Sequence, residues 1–378
     1  MSLDQHGEML RRLNSWSQGV PAPPWKLQIR MVPVCNLKCF YCGYSNEGHL
    51  AHLSRIYPKR LPTEFYLRVL REAAAMGVRY VQLLGDGEVL AYKDQARAVL
   101  QEVKRQGMTG WLVTNGTLFD EGLIRMLVDD GFDEIKISLD APSPDIHDRM
   151  RGVPGTFDRI VRAIDRFRFW KEELGSLSPR LGLHTVLTRM NRETLSRLIR
   201  FASEHGIEDI TFLPLSDITQ ACAAQRLSAE QWESLRHDAP QLVREATSCG
   251  VVTNLSSLVA GSPEYFFNQV DHLLTPEERG FRSIACFQPF LMMGVTPDGF
   301  VSPCPLMEKG GEAAAPLLDD SLEHAWSGSV FTEVRRRMLE HNLFGKCKTC
   351  CASIFLENAG LKEELSRAGP VAAVGVTG

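Results

Sequence analysis

The sequence has no apolar run long enough to cross a membrane and no strong excess of charge of either sign. Its apolar stretches stay below the ~18 residues that a bilayer-spanning helix requires. The formal net charge is -4, which gives no reason to expect nucleic acid or an anionic membrane as a partner. The N-terminus also lacks the short apolar stretch of a signal peptide. We therefore predict a cytoplasmic protein that binds neither membranes nor nucleic acid.

Cysteine is abundant, but disulfides are not expected. The chain has ten cysteines, and a reducing compartment disfavours structural disulfides. Eight of them form two groups, one near the start and one near the end: Cys35, Cys39 and Cys42, then Cys286, Cys304, Cys347, Cys350 and Cys351. Clustered cysteines in a cytosolic enzyme indicate metal ligands.

Segments with strand character alternate with amphipathic helical segments from residue 26 to about residue 215. The first predicted strand is 26–34, and one of the predicted helices is 156–173. Apolar strands that alternate with helices predict a parallel sheet covered by helices. Six such units, rather than eight, predict an α/β fold of the partial (βα)6 TIM-like barrel type. We expect the reactive face at the carboxyl ends of the strands.

The composition predicts five regions along the chain. They are a polar, proline-containing lead-in (1–25), the barrel (26–220), a helical connection (221–280), a small α+β domain with the late cysteines (281–360) and a mobile tail (361–378). The remaining two cysteines, Cys222 and Cys249, fall in the predicted helical connection. They are most simply explained as packed side chains.

The first cysteine group follows the first predicted strand within eight residues. Three thiolates can hold three irons of a cubane [4Fe–4S] cluster, which leaves the fourth iron without a protein ligand. An open metal position can bind a small molecule. A zinc site is the alternative, although three cysteines without a nearby fourth make a poor closed tetrahedral site.

The pattern C-x3-C-x-aromatic-C, with Tyr41 as the aromatic residue, resembles the radical S-adenosylmethionine (SAM) enzymes. The resemblance implies that the open iron binds SAM and that one-electron reduction releases a 5′-deoxyadenosyl radical. This radical would abstract a hydrogen atom from the substrate, because the cofactor carries the chemistry and the protein orients it. The resemblance also implies a single-electron donor, such as a flavodoxin or ferredoxin, as a partner.

The resemblance covers the first 220 residues and implies further SAM contacts. Asp86-Gly87-Glu88-Val89 stands where the family has Gly-Gly-Glu-Pro, and Gly85 precedes it. By similarity, Arg151 pairs with the SAM carboxylate, as a planar guanidinium suits a carboxylate; a surface salt bridge is the alternative. The SAM-binding candidates are Tyr41, Gly85, Gly87, Glu88, Asn115, Ser138 and Arg151.

The second cysteine group has the spacing C-x12-G-x4-C followed by C-x2-C, with Gly299 as the glycine. This spacing resembles the auxiliary-cluster extensions called SPASM and twitch domains. The low cysteine number favours the twitch type, with one auxiliary [4Fe–4S] cluster. The implied ligands are Cys286, Cys304, Cys347 and Cys350, with Cys351 as an alternative to Cys350. A four-cysteine zinc site is the other possibility.

The sequence leaves the substrate and the reaction open. Our leading hypothesis is oxidation of a hydroxyl of a small-molecule substrate, a sugar or aminocyclitol of natural-product (antibiotic) biosynthesis, with the auxiliary cluster as electron acceptor. Peptide maturases often carry a leader-binding domain before the barrel, and here only about 25 residues precede the first strand. The alternatives are a peptide-modifying maturase and a redox-neutral epimerase or decarboxylase, with Cys222 or Cys249 as hydrogen donor in the epimerase. The oxidation needs a base that removes the hydroxyl proton. The candidate catalytic groups are Asp140, His184 and Asp217, as possible bases, and Cys249.

Overall fold

The structure, a computed structural model, describes residues 3–42, 60–215, 220–260, 281, 284, 286–304, 313–342, 344, 347, 357–358, 360–362 and 364–365. Within these residues, ten strands form one sheet. They are β1 Lys26–Arg30, β2 Tyr80–Leu84, β3 Thr109–Thr114, β4 Glu134–Ser138, β5 Arg180–Leu187, β6 Asp209–Pro214, β7 Val252–Thr253, β8 Met292–Val295, β9 Phe300–Ser302 and β10 Ala315–Pro316. The order in the sheet is β10-β9-β8-β1-β2-β3-β4-β5-β6-β7.

Helices surround this sheet. They are α1 Leu3–Ser17, α2 Thr63–Ala75, α3 Lys93–Arg105, α4 Glu121–Asp129, α5 Pro144–Arg151, α6 Thr156–Glu173, α7 Leu195–Glu204, α8 Gln220–Gln225, α9 Ala229–Ser248, α10 Leu255–Ala260, α11 Gln288–Leu291, α12 Leu322–Ser327 and α13 Ser329–Leu339, with short 3₁₀ turns at Val89–Tyr92 and Arg192–Thr194. No described helix combines the length and the apolar character that crossing a membrane would need.

The first six strands confirm the predicted α/β partial barrel. Each neighbouring pair from β1 to β6 is parallel and follows the chain order. The predicted first strand, 26–34, ends early, at Arg30. Pro33 has no N–H to donate to a ladder, and the carbonyl groups of Val32 and Val34 bond to the turn after β2 instead.

Local capping explains where several helices begin. Asp120 accepts a hydrogen bond from the N–H of Leu123 at 2.8 Å and starts α4. Ser228 and Gln231 form a reciprocal capping box at the start of α9. Thr63, whose type suits a cap, is instead the first residue of α2, after Pro62.

Side chains on the barrel strands alternate between an apolar and a polar face. The outward side chains join helix residues in one large buried core, which includes Leu27, Ile29, Val81, Leu83, Leu112, Ile135, Ile137, Leu183 and Phe212. Because successive strand residues point to opposite faces, the polar residues between them face the barrel interior. The hydrogen bond from Gln28 Nε2 to Gln82 Oε1, at 2.9 Å, joins two of these inward side chains.

The C-terminal region continues the barrel sheet. β8 pairs with β1 in parallel, and β9 pairs with β8 in antiparallel orientation. The lead-in expected at 1–25 contains the docked helix α1, in which Met9 and Leu13 are completely buried. The indole N–H of Trp16 donates to the carbonyl of Phe290 at 3.1 Å, so α1 binds the C-terminal region.

Candidate cofactor site and auxiliary cysteines

The first cysteine group lies at the carboxyl edge of the barrel, in the loop that follows β1. One member is buried and two are partly buried: Cys39, then Cys35 and Cys42. Val32 and Val34 come just before the first cysteine in the sequence. Their carbonyls accept the N–H groups of Gly87 and Glu88, in the turn after β2, each at 2.8 Å. These bonds attach the start of the cysteine loop to the turn after β2.

Glycine is required where these two segments meet. A Cβ added to Gly87 would lie 2.0 Å from the carbonyl oxygen of Val34. A Cβ on Gly85 would lie 2.5 Å from the carbonyl oxygen of Gly87. Both distances are far below van der Waals contact, so the close backbone approach explains the small residues in this motif.

Glu88, which is 2% exposed, ties the same turn to the end of β3. Its Oε1 accepts hydrogen bonds from the hydroxyl of Thr114 at 2.6 Å and from the N–H of Leu90 at 3.0 Å. Its Oε2 accepts the N–H of Asn115 at 2.7 Å. Burial raises the pKa of this carboxyl, and the three hydrogen bonds oppose the shift. Both carboxylate oxygens of Glu88 therefore accept hydrogen bonds from the protein itself, and these bonds connect the turn after β2 to the end of β3.

Asn115 connects the end of β3 to the cysteine loop. Its Nδ2 donates to Asn36 Oδ1 at 2.9 Å and lies 3.9 Å from Sγ of Cys35. Thr117 completes the connection, because its hydroxyl accepts Asn36 Nδ2 at 2.8 Å. Neither Asn36 nor Thr117 was predicted as a site residue, although Asn36 directly follows Cys35 in the sequence.

Asp140 is completely buried at the end of β4 and joins four elements. Its Oδ2 accepts the hydroxyl of Tyr41 at 2.7 Å and forms an ion pair with Arg151 Nε at 2.9 Å. Its Oδ1 accepts the N–H of Val186 at 3.1 Å, and its carbonyl accepts Asn191 Nδ2 at 2.8 Å. A carboxylate with these partners is an anchor for the cysteine loop, so the expectation that Asp140 is a catalytic base is not supported.

Arg151 is 6% exposed, so it is not in a surface salt bridge. Besides its ion pair with Asp140, its Nη1 lies 3.9 Å from Sγ of Cys39. Its guanidinium also lies 5.4 Å from the ring centre of Tyr41. The predicted contact between Arg151 and the SAM carboxylate stays a prediction.

Gly152 is a site residue that sequence reasoning missed. It has φ +70°, and a Cβ on it would lie 2.3 Å from the carbonyl oxygen of Lys38 inside the cysteine loop. Next to it, the carbonyl of Arg151 accepts the N–H of Lys38 at 3.0 Å. The end of α5 therefore docks directly against the loop.

The groups around the sulfur atoms fit an iron–sulfur cluster. The N–H of Leu37 lies 3.4 Å from Sγ of Cys35, and Cys39 has the guanidinium contact. Burial raises the pKa of Cys35 to about 11 and raises that of Cys39. Iron binding deprotonates cysteine, and N–H donors stabilise the resulting sulfur charge. In the described parts of the chain, no three His, Cys, Asp or Glu side chains converge on one metal ion.

β4 and β5 place Ser138 beside His184 on the inner face, near the cofactor edge. The His184 ring lies edge-on to Trp111, with centres 6.0 Å apart. Burial lowers the pKa of His184 to about 3, and the positive charges of Lys136 and Arg151 add to this shift. The imidazole is therefore neutral near pH 7 and too weak a base for the proton-abstracting role expected for it.

Three of the late cysteines gather in the apolar interior of the C-terminal region. Cys286 and Cys347 pack against one cluster of buried apolar side chains. Cys304 and Cys347 pack against another, formed by Ala313 and Val334. Cys347 thus shares one apolar cluster with Cys286 and another with Cys304. The role of the three cysteines as auxiliary ligands stays a prediction.

Cys286 has neutral hydrogen-bond donors near its sulfur. Asn358 Nδ2 lies 3.6 Å from Sγ, and the backbone N–H of Gln288 also points to it. Burial raises the pKa of Cys286 to about 12, against these two hydrogen bonds. A buried thiol with N–H donors again suits a metal-bound thiolate.

Four of the predicted catalytic or cluster-binding residues remain, and three of them lie outside the described residues: Asp217, Cys350 and Cys351. Cys249 caps the carboxyl end of α9, just before β7, which pairs with the first residue of β6. This position is at the amino edge of the strands, opposite the cysteine loop, so a hydrogen-donor role for Cys249 does not fit.

Two family models match the chain. The radical SAM superfamily matches residues 29–202, and the iron–sulfur cluster-binding SPASM domain matches residues 286–351. The chain therefore contains a radical SAM domain and, after it, a SPASM domain. Its cofactors are therefore a [4Fe–4S] cluster with SAM, and auxiliary iron–sulfur binding in the SPASM domain.

Two curated relatives of this radical SAM enzyme are 30% identical to it over part of their length. They are the PqqA peptide cyclase of Granulibacter bethesdensis, over 184 residues (49% of this chain and 45% of the relative), and a probable GTP 3′,8-cyclase of Methanosarcina acetivorans, over 183 residues (48% and 51%). The chain thus spans about half the length of the curated relatives it matches.

The crystal structure of Streptococcus suis SuiB bound to S-adenosylmethionine has a similar fold. The TM-score is 0.64 at 18% identity, and the match covers 91% of this chain and 76% of SuiB. The structure of SuiB bound to its precursor peptide SuiA matches with a TM-score of 0.63, at 19% identity, over 94% of this chain and 74% of SuiB. At these identities the likeness shows the fold alone.

Proposed function

We propose that this radical SAM enzyme oxidises a hydroxyl group of a small, uncharged or amino-bearing polyhydroxylated molecule held inside the barrel. The carrying observation is a row of uncharged polar side chains on the inner face near the cofactor edge. The strand register puts Ser138 beside His184, and His184 beside Thr211. All three side chains keep part of their surface exposed.

These side chains suit hydroxyl groups. A neutral imidazole at His184 offers one N–H donor and one acceptor, and Ser138 and Thr211 each offer both. The indole N–H of Trp111 is buried and has no hydrogen-bond partner among the described residues. An unpaired buried donor costs about 1–3 kcal/mol, so a substrate oxygen that accepts it gains affinity.

A charged layer lies one step deeper. Lys136, 5% exposed, pairs with Glu134 at 3.1 Å and with Asp209. Gly182 leaves room for this pair, because a Cβ there would lie 2.4 Å from Asp209 Oδ1 and 2.6 Å from Lys136 Nζ. Two carboxylates against one ammonium leave negative charge at this level, which favours an amino group on the substrate over a phosphate.

Bound at the open iron, SAM would supply the 5′-deoxyadenosyl radical that takes one hydrogen atom from the carbinol carbon. The hydroxyl proton would be released to solvent, and an auxiliary cluster held by the late cysteines would accept the remaining electron. The substrate thus loses two hydrogens and becomes a ketone. Neither His184 nor Asp140 is placed to accept this proton, for the reasons given above.

A peptide substrate is the second candidate. The observation that favours it is the likeness to the PqqA peptide cyclase and, in fold, to SuiB, one structure of which contains a precursor peptide. The redox-neutral alternative gains no geometric support, since Cys222 is completely buried in α8 and Cys249 lies at the opposite edge of the barrel.

The test is anaerobic incubation of the reduced holoenzyme with SAM and a panel of sugars and aminocyclitols, alongside synthetic precursor peptides. We expect a product two mass units lighter than its sugar or aminocyclitol substrate, with one 5′-deoxyadenosine per product. Product formed only from a peptide, or with unchanged mass and solvent deuterium, contradicts the proposal.

A matched pair of tryptophan variants tests the substrate position. Trp111→Phe removes the inward N–H and should raise KM about tenfold, as expected for the loss of a ~1.4 kcal/mol hydrogen bond. Trp170→Phe is the control, because its N–H donates to Glu121 on the outer surface. Equal KM values for the two variants would place the substrate elsewhere.

A further inference from the structure

A buried cation faces one sulfur of the barrel cysteine loop. Arg151 is 6% exposed, and its Nη1 lies 3.9 Å from Sγ of Cys39. Two contacts hold the guanidinium there: its Nε pairs with Asp140, and its carbon lies 5.4 Å from the centre of the Tyr41 ring. The backbone carbonyl of Arg151 also accepts the N–H of Lys38.

A buried anion pairs with this cation. Asp140 is 0% exposed and holds the loop through the hydroxyl of Tyr41 at 2.7 Å. Charges interact strongly in a low-dielectric interior, where solvent does not screen them. Any charge that develops on Cys39 therefore responds to both members of the pair.

Reduction of an iron–sulfur cluster adds one negative charge to it. Hydrogen bonds to the sulfurs, net charge and solvent exposure set the reduction potential of such clusters. A guanidinium that donates toward a ligand sulfur stabilises the reduced state, and a nearby carboxylate destabilises it. The two members of the pair thus act in opposite directions.

We propose that Arg151 and Asp140 form an opposed charge pair that sets the reduction potential of the SAM-cleaving cluster through Cys39. Arg151 raises the potential and Asp140 lowers it, in addition to their positioning of the loop. The inference rests on Cys39 as a cluster ligand, but it does not depend on which substrate the enzyme oxidises. Arg151 and Asp140 are positioning residues in this scheme, since neither needs to contact the substrate.

The test is a potentiometric titration of the reconstituted holoenzyme, followed by electron paramagnetic resonance without SAM or substrate. Arg151→Gln keeps an N–H donor but removes the positive charge, so the midpoint potential of the barrel cluster should become more negative. Asp140→Asn keeps the size but removes the negative charge, so the potential should become more positive. The auxiliary cluster signal of the same samples is the internal reference and should not move.

Arg180→Gln is the matched control. Arg180 also pairs with a carboxylate, Glu208, but on the exposed amino edge of β5. This variant should leave both potentials unchanged. Shifts of the same sign for Arg151→Gln and Asp140→Asn, or no shift in either with full iron content, overturn the proposal.

Loss of the cluster in Arg151→Gln would not end the test. Asp140→Asn then decides by the direction of its shift, and Arg151→Lys adds a second measurement. Arg151→Lys keeps the positive charge but lacks the planar guanidinium. The midpoint potential of its barrel cluster should therefore lie closer to the parent value than that of any variant with an uncharged residue at position 151 that still holds iron. A potential in Asp140→Asn that is unchanged or more negative overturns the proposal. Because no substrate is present, failure here is distinguishable from failure of the proposed oxidation.

Discussion

The two cysteine sites are held by different means. In the barrel, backbone pairing at Gly87 and a buried ion pair at Arg151 fix the loop from two sides. In the C-terminal region, Cys286 and Cys347 lie among apolar side chains. The donors to Cys286, the amide of Asn358 and the backbone N–H of Gln288, are both uncharged. The loop site is constrained by close backbone contact and charge, and the other by apolar packing.

This difference fits the roles proposed for the two sites, which are SAM binding in the barrel and electron transfer in the C-terminal region. A site that binds SAM must keep one iron accessible from the barrel interior while its cysteines stay fixed. A site that only passes electrons can be enclosed by apolar side chains. The following experiments test this difference between the two cysteine sites and measure its size.

The largest effect is expected from removing the barrel cysteines. Alanine at all three positions should remove about four irons per chain and abolish 5′-deoxyadenosine formation. The three positions are Cys35, Cys39 and Cys42. Alanine at the late positions, Cys286, Cys304 and Cys347, should leave SAM cleavage but stop substrate turnover. Iron and sulfide analysis after anaerobic reconstitution measures both. SAM cleavage by the early triple variant would contradict the assignment.

A pair of glycine variants compares the steric demands of the two sites. Gly87→Ala drives a Cβ to 2.0 Å from the backbone of Val34, and we expect it to cost about 3 kcal/mol of unfolding free energy and to abolish SAM binding. In Gly299→Ala the Cβ meets side chains and no backbone: Leu318 at 2.6 Å and Leu61 at 3.5 Å, with φ +82° at this position. Its cost should be about 1–2 kcal/mol, with SAM cleavage intact. Denaturant titration and SAM-binding assays decide, and a reversed order would break the comparison.

Asn358→Ala tests the neutral donor at the auxiliary site. It removes the amide contact to Cys286 and the acceptor for the N–H of Phe287. We expect a loss of about 1–3 kcal/mol in unfolding free energy and a more negative auxiliary potential, with the barrel cluster signal unchanged. A shift in the barrel cluster instead would show that the two sites are not electrostatically separate.

The last prediction concerns the pH dependence of stability. His184 has a pKa lowered to about 3 by burial, against about 6.5 in an unfolded chain. Below pH 6.5 the unfolded state therefore binds a proton that the folded state does not, and stability falls as the pH drops toward 3. His184→Gln should flatten this dependence between pH 6.5 and 4 in denaturant titrations. His237→Gln, on the exposed face of α9, is the control and should leave it unchanged.

The sequence predicted the barrel well because its signals are local. Apolar strands, helix ends at glycine and the cysteine spacing each lie within a few residues, and the predicted helix 156–173 agrees with α6. The helix α1 was missed, although Met9 and Leu13 stand four residues apart on one face. Polar neighbours and the following prolines obscured that pattern.

The site was predicted less completely, because its contacts join distant positions. The cysteine motif and Arg151 were identified, but Asp140 was expected to do chemistry and instead pairs with Arg151 and Tyr41. Likewise, nothing in local spacing indicates that Asn36 meets Thr117 and Asn115. Such partners are set by the order of strands in the sheet, which a single sequence does not reveal.

The parallel pairing of β8 with β1 also constrains long-range electron movement. Main-chain hydrogen bonds tie the strand that precedes the barrel cysteines to the strand between Cys286 and Cys304. The rate of electron tunnelling falls steeply with the distance between two redox centres. Here that distance is set by the hydrogen-bonded pairing of β8 with β1 and not by the length of the chain that connects them. Lengthening the covalent path between the two halves would therefore leave the distance between their redox centres nearly the same.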